Sequence, residues 1–294
     1  MAEISQETLG KETLLFEHLK STGRLLVAFS GGVDSSYLAW AAKQALGDDC
    51  LAVTAVSPSY PQSHRDMAEE IVRDFQIPHR FIETAEMERP EYRRNASDRC
   101  YYCKTELFER MEELLDGSNF DAIAYGINRD DQGDFRPGHK AAEEHRILSP
   151  LLDADLSKSE IRGLSHRAGL PCWDLPASAC LASRLPYGTE VTSGRLSQVD
   201  QGEERLRAMG FRQVRLRHHG ELARIEIDPA ELEAGVSAEQ MEAISAAVKS
   251  LGFKWVCLDL DGYQMGSLNR GLPHSQTISL RIPKSRSVLD SSDG

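Results

Sequence analysis

Apolar positions along this chain follow two periods, and the two alternate. Short apolar runs of strand length lie at 25–29, 51–56 and 121–126, as expected of strands buried on both faces, and 79–83 is a further candidate strand. Between them the spacing turns helical. Leu14, Leu15, Phe16 and Leu19 share one side of a helix over 7–20, further helices open at 37–42 and cover 66–75, and Leu107, Phe108, Met111 and Leu114 mark a fourth. Ser157-Lys158-Ser159-Glu160 is a capping box that starts a helix running to about Ala168. Strands alternating with helices of these lengths imply right-handed βαβ units. The predicted class is therefore α/β, a doubly wound parallel sheet whose ligands sit beyond the carboxyl ends of the strands.

The rhythm breaks after Gly169. Pro171, Pro176, Pro186 and Gly188 make 169–193 a loop rather than a regular element. Beyond it a helix over 197–209, strands at 211–217 and 222–227, a helix over 239–251 and an apolar run at 254–258 complete a smaller C-terminal α+β domain. The expected organisation is residues 1–175 as the larger domain, 176–280 as the loop with the small domain, and 281–294 as a polar tail.

Composition narrows the class without changing it. A chain of 294 residues with a hydrophobic fraction of 40% suits packed domains. No apolar stretch is long enough to span a bilayer and the first residues lack a signal-peptide pattern, so a cytoplasmic location is expected. The net charge of -12 disfavours broad attraction to nucleic acid. Cys50, Cys100, Cys103, Cys172, Cys180 and Cys257 are too sparse for a disulfide framework, and Cys50 and Cys257 read as inert.

The candidate chemistry gathers at four places. Ser30, Gly31, Gly32, Val33, Asp34, Ser35 and Ser36 follow the first strand and open a helix. Glycines that admit close backbone approach, hydroxyl donors and a helix N-terminus together form an anion site, and the missing Gly-Lys-Ser/Thr separates it from the common P-loop. Acidic residues after Gly126, among them Asp130, Asp131 and Asp134, are candidates to hold magnesium beside a triphosphate. Cys100 and Cys103 have three readings: ligands of a metal or iron–sulfur cluster, a redox or sulfur-carrying pair, or structural residues. Cys180, in a loop with Arg184, is a candidate thiolate nucleophile, and composition alone leaves an inert role equally open. Period two in the strand at 211–217 places Arg215 and Arg217 on one face, as a site for a substrate phosphate, a solvated charged face or an RNA contact.

The SGGVDSS loop resembles the PP-loop of the ATP pyrophosphatases. The later run from Ser178 to Gly188, with Cys180 inside it, narrows the resemblance to the LarE family of ATP-dependent sulfur insertases that serve the nickel-pincer nucleotide cofactor of lactate racemase. That resemblance implies a PP-loop fold and ATP with Mg2+ at Ser30 to Ser36 and Gly126. It also identifies 147–151 as the strand closing the unit. It implies adenylation of a carboxylate on a pyridinium biscarboxylate mononucleotide and its conversion to a thiocarboxylate. Cys180 is then either a sacrificial sulfur donor or, with Cys100 and Cys103, a ligand of a four-iron four-sulfur cluster that passes on a sulfide. Cys172 is a substitute ligand in that scheme, and the family is expected to be homo-oligomeric, as a hexamer; the arginines themselves, Arg184, Arg215 and Arg217, are the residues expected to hold the substrate phosphate. The competing readings are an ATP-dependent amidotransferase or ammonia ligase, a tRNA thiolase, and a non-enzymatic nucleotide-binding regulator.

Overall fold

The computed structural model describes residues 4–131, 137–176, 179–233 and 235–264. Its first sheet is built from β1 (Leu25–Ala28), β2 (Cys50–Val56), β3 (His79–Glu83) and β4 (Ala122–Tyr125), all parallel, in the order β3-β2-β1-β4. Every residue of β1 is buried, because it pairs on both edges, with Leu26 opposite Leu51 and Ile123, and has helices over both faces. The helices are α1 (Gln6–Lys20), α2 (Val33–Leu46), α3 (Gln62–Asp74), α4 (Pro90–Arg93), α5 (Arg99–Asp116), α6 (Pro137–Glu144), α7 (Pro150–Asp153) and α8 (Lys158–Arg167). The expected capping box starts α8: the Ser157 hydroxyl accepts from the Glu160 amide and the Glu160 carboxylate accepts from the Ser157 amide at 2.8 Å.

One expected element differs. The strand anticipated at 147–151 is a single bridge, Leu148 opposite Ala124, with the Leu148 amide donating to Ile123 O at 2.8 Å and the Tyr125 amide to Leu148 O at 3.0 Å. Two residues later Pro150, which has no N–H to extend a ladder, begins α7 instead.

The second sheet has the order β5-β6-β7, with β5 (Val214–His219) antiparallel to β6 (Leu222–Ile227) and β6 parallel to β7 (Trp255–Leu258). Helices α9 (Ser193–Ala208), α10 (Pro229–Glu233) and α11 (Ala238–Lys249) complete this smaller part. Its core of Leu196, Val199, Leu206, Val214, Leu216 and Ile225 also takes in Leu181, Ala182 and Leu185 of the long loop. Tyr92, Met87, Tyr102 and Cys103 from the first half of the chain pack into the same core, so the sulfur-bearing loop is wedged between segments from both sides of residue 175. Among the described residues no helix is long and apolar enough to cross a membrane. The tail at 281–294 lies outside the described residues, as does Asp134.

Candidate active site

The chain leaves β1 through Phe29, whose amide donates to Val53 O, and turns sharply at Gly31, where φ is 73°. A Cβ on Gly31 would lie 2.8 Å from His64 O and 3.2 Å from the Ala68 amide nitrogen, so only glycine lets the loop rest against α3. Gly32 caps α2, and the Ser30 and Ser35 hydroxyls meet at 3.0 Å, with the Ser30 amide donating to Ser35 Oγ at 3.1 Å. These bonds hold the first amides of α2 toward open space beyond the strand ends, the arrangement that binds phosphate.

Gly126, at the end of β4, presses on the same helix end. A Cβ there would sit 2.8 Å from the Ser35 amide nitrogen and 3.0 Å from the Asp34 carbonyl carbon. Gly126→Ala must therefore displace the α2 N-terminus, and overpacking of this kind costs about 1–3 kcal/mol. We expect a lowered melting temperature together with at least a roughly tenfold loss of ATP-dependent pyrophosphate release, because the shift falls on the amides that open α2. A variant that melts lower but releases pyrophosphate at the parent rate would separate Gly126 from the nucleotide site.

Asp34 forms an ion pair with Lys158 of α8. Burial raises its pKa, with Lys158 opposing and the nearby Asp131 adding to the rise. Its Oδ1 is buried and meets no hydrogen-bond donor among the described residues. Asp130 and Asp131 lie in a short 3-10 turn over Arg129–Asp131, where Asp130 accepts from the Lys158 amide at 2.9 Å and Asp131 from the Asn128 amide at 3.2 Å.

A short relay links this loop to Cys180. The Tyr60 hydroxyl donates to Ser30 O at 3.1 Å, and the Leu181 amide donates to Ser59 O at 2.9 Å. Cys180 caps a 3-10 turn, Leu181–Arg184, and buried side chains hold the backbone around it. Arg184 Nη1 donates to Ala179 O at 2.6 Å and Cys180 O at 3.2 Å, and Arg217 Nη1 donates to Ser183 O at 2.9 Å. From the other side Arg99 Nη1 donates to Ala182 O at 2.9 Å, and Asn95 Nδ2 donates to Pro186 O and Thr189 O, each at 2.9 Å.

The three arginines expected at a phosphate are brought together, but Arg184 is used differently. It is 1% exposed, its Nε and Nη2 donate to the two oxygens of Glu203 at 2.8 and 3.1 Å, and its Nη1 faces the loop carbonyls and the Ser183 hydroxyl. Arg184 thus holds the loop backbone and Glu203 together, with its donors engaged inside the protein. Arg215 and Arg217 do share a face of β5, as period two requires. That face is buried, not the solvated charged face considered as one alternative. The residues are 7% and 6% exposed, with Arg217 bonded to Ser183 O of the Cys180 loop and paired to Glu226 at 2.7 Å, and Arg215 lying over the Tyr263 ring at 5.2 Å.

His64 of α3 stands between the two parts. Burial, then the charges of Arg184, Arg215 and Arg207, push its pKa down to about 4, so the imidazole is neutral near pH 7. An unfolded histidine titrates near pH 6.5, so between about 6.5 and 4 the unfolded chain binds the extra proton and stability falls as pH falls. His64→Gln is expected to lessen the drop in melting temperature between pH 6.5 and 4.5 relative to the parent protein. Equal drops in the two proteins would remove His64 from that balance.

The thiols divide into two groups. Cys172 is fully buried in the first core, beside Ser36 and near Asp34, and burial raises its pKa. It lies beneath the loop at 30–36, in a different core from the one that Cys103 and Cys180 pack against. Cys100 and Cys103 occupy the first turn of α5 on one face, and Cys103 and Cys180 pack against the same core as Tyr92. Burial pushes the Cys103 thiol up, with Glu86, Cys180 and Cys100 adding to the rise. Among the described residues no three His, Cys, Asp or Glu side chains converge on a single metal ion. Cys180 and Cys100 are the thiols nearest the buried Arg99 guanidinium.

Glu203, Arg99 and Asn95 carry no motif. Glu203 does leave a trace, since it shares the buried stripe of α9 with Leu196, Val199 and Leu206, and an acid in an apolar stripe announces a buried cation. Asn95 has φ 55°, a backbone state set by the turn and invisible in the sequence.

No family model matches the chain. It is 41% identical to an uncharacterized protein of Synechocystis over 249 residues, 85% of this chain and 93% of that protein. An uncharacterized protein of Methanocaldococcus jannaschii is 27% identical over 241 residues, 82% of this chain and 91% of its own. The pyridinium-3,5-bisthiocarboxylic acid mononucleotide synthase of Lactiplantibacillus plantarum is 33% identical over 267 residues, 90% of this chain and 96% of the synthase. An identity of that size, held across nearly the whole of both proteins and joined to a parallel α/β sheet with a smaller C-terminal sheet, shows that this chain belongs to the LarE family.

Proposed function

We propose that this protein is an ATP-dependent sulfurtransferase that converts a carboxylate of a pyridinium biscarboxylate mononucleotide into a thiocarboxylate, releasing AMP and pyrophosphate, for the nickel-pincer cofactor of lactate racemase. The observation that carries this reading is the relay from Ser30 through Tyr60 and Ser59 to Leu181, which fixes Cys180 to the anion-binding loop. An activation site and a nucleophile held in one frame can act on one substrate in turn.

In the first step a substrate carboxylate oxygen attacks the α-phosphorus of ATP and pyrophosphate leaves. The amides at the start of α2, with the Ser30, Ser35 and Ser36 hydroxyls, hold the leaving pyrophosphate. The unpartnered Asp34 Oδ1, with Asp131 nearby, fits a magnesium ion, which would offset charge on the phosphates. Arg184, Arg215 and Arg217 make the region under the Cys180 loop cationic and so attract the mononucleotide's phosphate, while the donors of Arg184 and Arg217 hold the loop itself.

In the second step the Cys180 thiolate, its proton given to solvent, attacks the acyl carbon and AMP departs, leaving a thioester. Loss of the Cys180 Cα proton with cleavage of its Cβ–S bond then frees the thiocarboxylate and leaves dehydroalanine at position 180. In the alternative source, Cys100, Cys103 and Cys180 would hold a four-iron four-sulfur cluster, which supplies a sulfide to the acyl carbon when bound. Arg184 and Arg217 hold the loop carbonyls in both cases, so the Cys180 sulfur keeps its place.

The test is incubation of the purified protein with ATP and the biscarboxylate mononucleotide, followed by mass spectrometry of the nucleotide and assay of AMP and pyrophosphate. A gain of about 16 Da on the substrate, from oxygen to sulfur, with one AMP and one pyrophosphate per product supports the reading. An amide product in the presence of ammonia, or ATP binding without turnover, would replace it with a ligase or a regulator.

A further inference from the structure

Arg99 is 4% exposed, yet no carboxylate among the described residues forms an ion pair with it. The other two buried arginines of the loop clamp do have one, since Arg184 meets Glu203 and Arg217 meets Glu226. Only Nη1 of Arg99 donates within the described residues, to Asn95 Oδ1 and Ala182 O, and Nε and Nη2 make no hydrogen bond there. Cys180, Cys100, Tyr92 and Tyr187 are the ionisable groups around it. The Tyr92 hydroxyl is itself buried and lacks a hydrogen-bond partner among the described residues. A desolvated cation without a countercharge is costly, and a protein keeps one where an anion arrives.

The geometry points to Arg99 as the binding residue for a carboxylate of the mononucleotide substrate, its free guanidinium edge receiving the group beside Cys180. This inference rests on the sulfurtransferase reading and specifies the pocket that reading leaves open. Arg99 reaches Ala182 O, two residues beyond Cys180, so a carboxylate on it lies next to the nucleophile. A planar guanidinium with unused donors on Nε and Nη2 matches a carboxylate in two parallel hydrogen bonds. After sulfur transfer the same edge holds the anionic thiocarboxylate until it leaves.

The experiment is titration calorimetry on the full-length protein without ATP, so that no chemistry follows binding. Two probes share the pyridinium, ribose and phosphate: the pyridinium-3,5-biscarboxylic acid mononucleotide, and nicotinamide mononucleotide, which has no carboxylate. The parent protein is expected to prefer the biscarboxylate by about 10- to 100-fold, the range of a charge-assisted hydrogen-bonded contact. Arg99→Gln should bring the two affinities within about threefold of each other by weakening only the biscarboxylate. Arg99→Lys, which keeps the charge and a donor for Ala182 O, should retain part of the preference with a melting temperature near the parent's, and it stands in if the glutamine variant does not fold. A preference unchanged in the variants, or equal weakening of both probes, would make Arg99 a loop anchor only and overturn the inference. A parent protein that binds nicotinamide mononucleotide equally well also overturns it, whereas a parent that binds neither probe overturns the sulfurtransferase reading itself.

Discussion

Cys180→Ala is expected to abolish thiocarboxylate formation, by more than about 1,000-fold, while pyrophosphate release on addition of ATP and the biscarboxylate mononucleotide stays within a few-fold of the parent. The asymmetry follows from the layout. The amides at the α2 N-terminus and Gly126 do not touch the Cys180 side chain, so adenylation keeps its machinery when the thiol is removed. The sulfur step loses its nucleophile in one route and a cluster ligand in the other. Thiolation at the parent rate in the alanine variant would remove Cys180 from the reaction. Intact mass and iron content of the parent protein, taken before and after turnover, then separate the two routes. Loss of about 34 Da with no iron marks Cys180 as a consumed donor, and unchanged mass with about four irons per chain marks a cluster.

The largest loss of stability is expected at Glu203. Its carboxylate is 0% exposed and accepts from Arg184 twice, from Arg207 Nη2 at 2.8 Å and from the Leu216 amide at 3.1 Å. Glu203→Ala strands the Arg184 guanidinium without its countercharge and leaves a β5 amide unsatisfied. Breaking one side of a buried pair costs about 3–5 kcal/mol, which for a chain of this size lowers the melting temperature by roughly 10 °C. Replacing both partners, as Glu203→Leu with Arg184→Met, should recover much of that stability, since apolar side chains of similar volume remove the buried charges altogether. Sulfur transfer should stay low in the double variant, because the Ala179 and Cys180 carbonyls have lost their anchor. If thermal melting showed Glu203→Ala as stable as the parent, the ion pair would not hold the loop. Recovery of full sulfur transfer in the double variant would likewise remove the positioning role of Arg184.

Local chemistry was readable wherever a few adjacent residues suffice to produce it. The apolar runs and turn residues gave β2 and β3 to within a residue, and the Ser157 box capped the helix it announced. The helix at 62–74 begins four residues before its apolar spacing does, because its first turn, Gln62 to Arg65, carries polar side chains that leave no apolar period to read. Alternation correctly paired Arg215 with Arg217, and only the depth at which they lie was missed, since depth depends on what folds over them. The loop leading to the smaller part's first helix, rich in proline and glycine, gave no sign of its own path. That path is set by Asn95, Arg99, Arg184 and Arg217, which stand at distant points of the chain.

The sequence by itself determined the α/β class, the glycine turn between β1 and α2, and the cysteine that stands in the second motif, because each depends on neighbours within one strand, turn or helix. Only the tertiary structure decided that Arg184 supports the loop through Glu203, that Cys172 stays apart from the other thiols, and that Arg99 lies buried without a carboxylate partner among the described residues. Those properties arise from burial and long-range pairing. The cost of burying a charge is fixed by the groups that surround it in space, and no spacing along the chain records them.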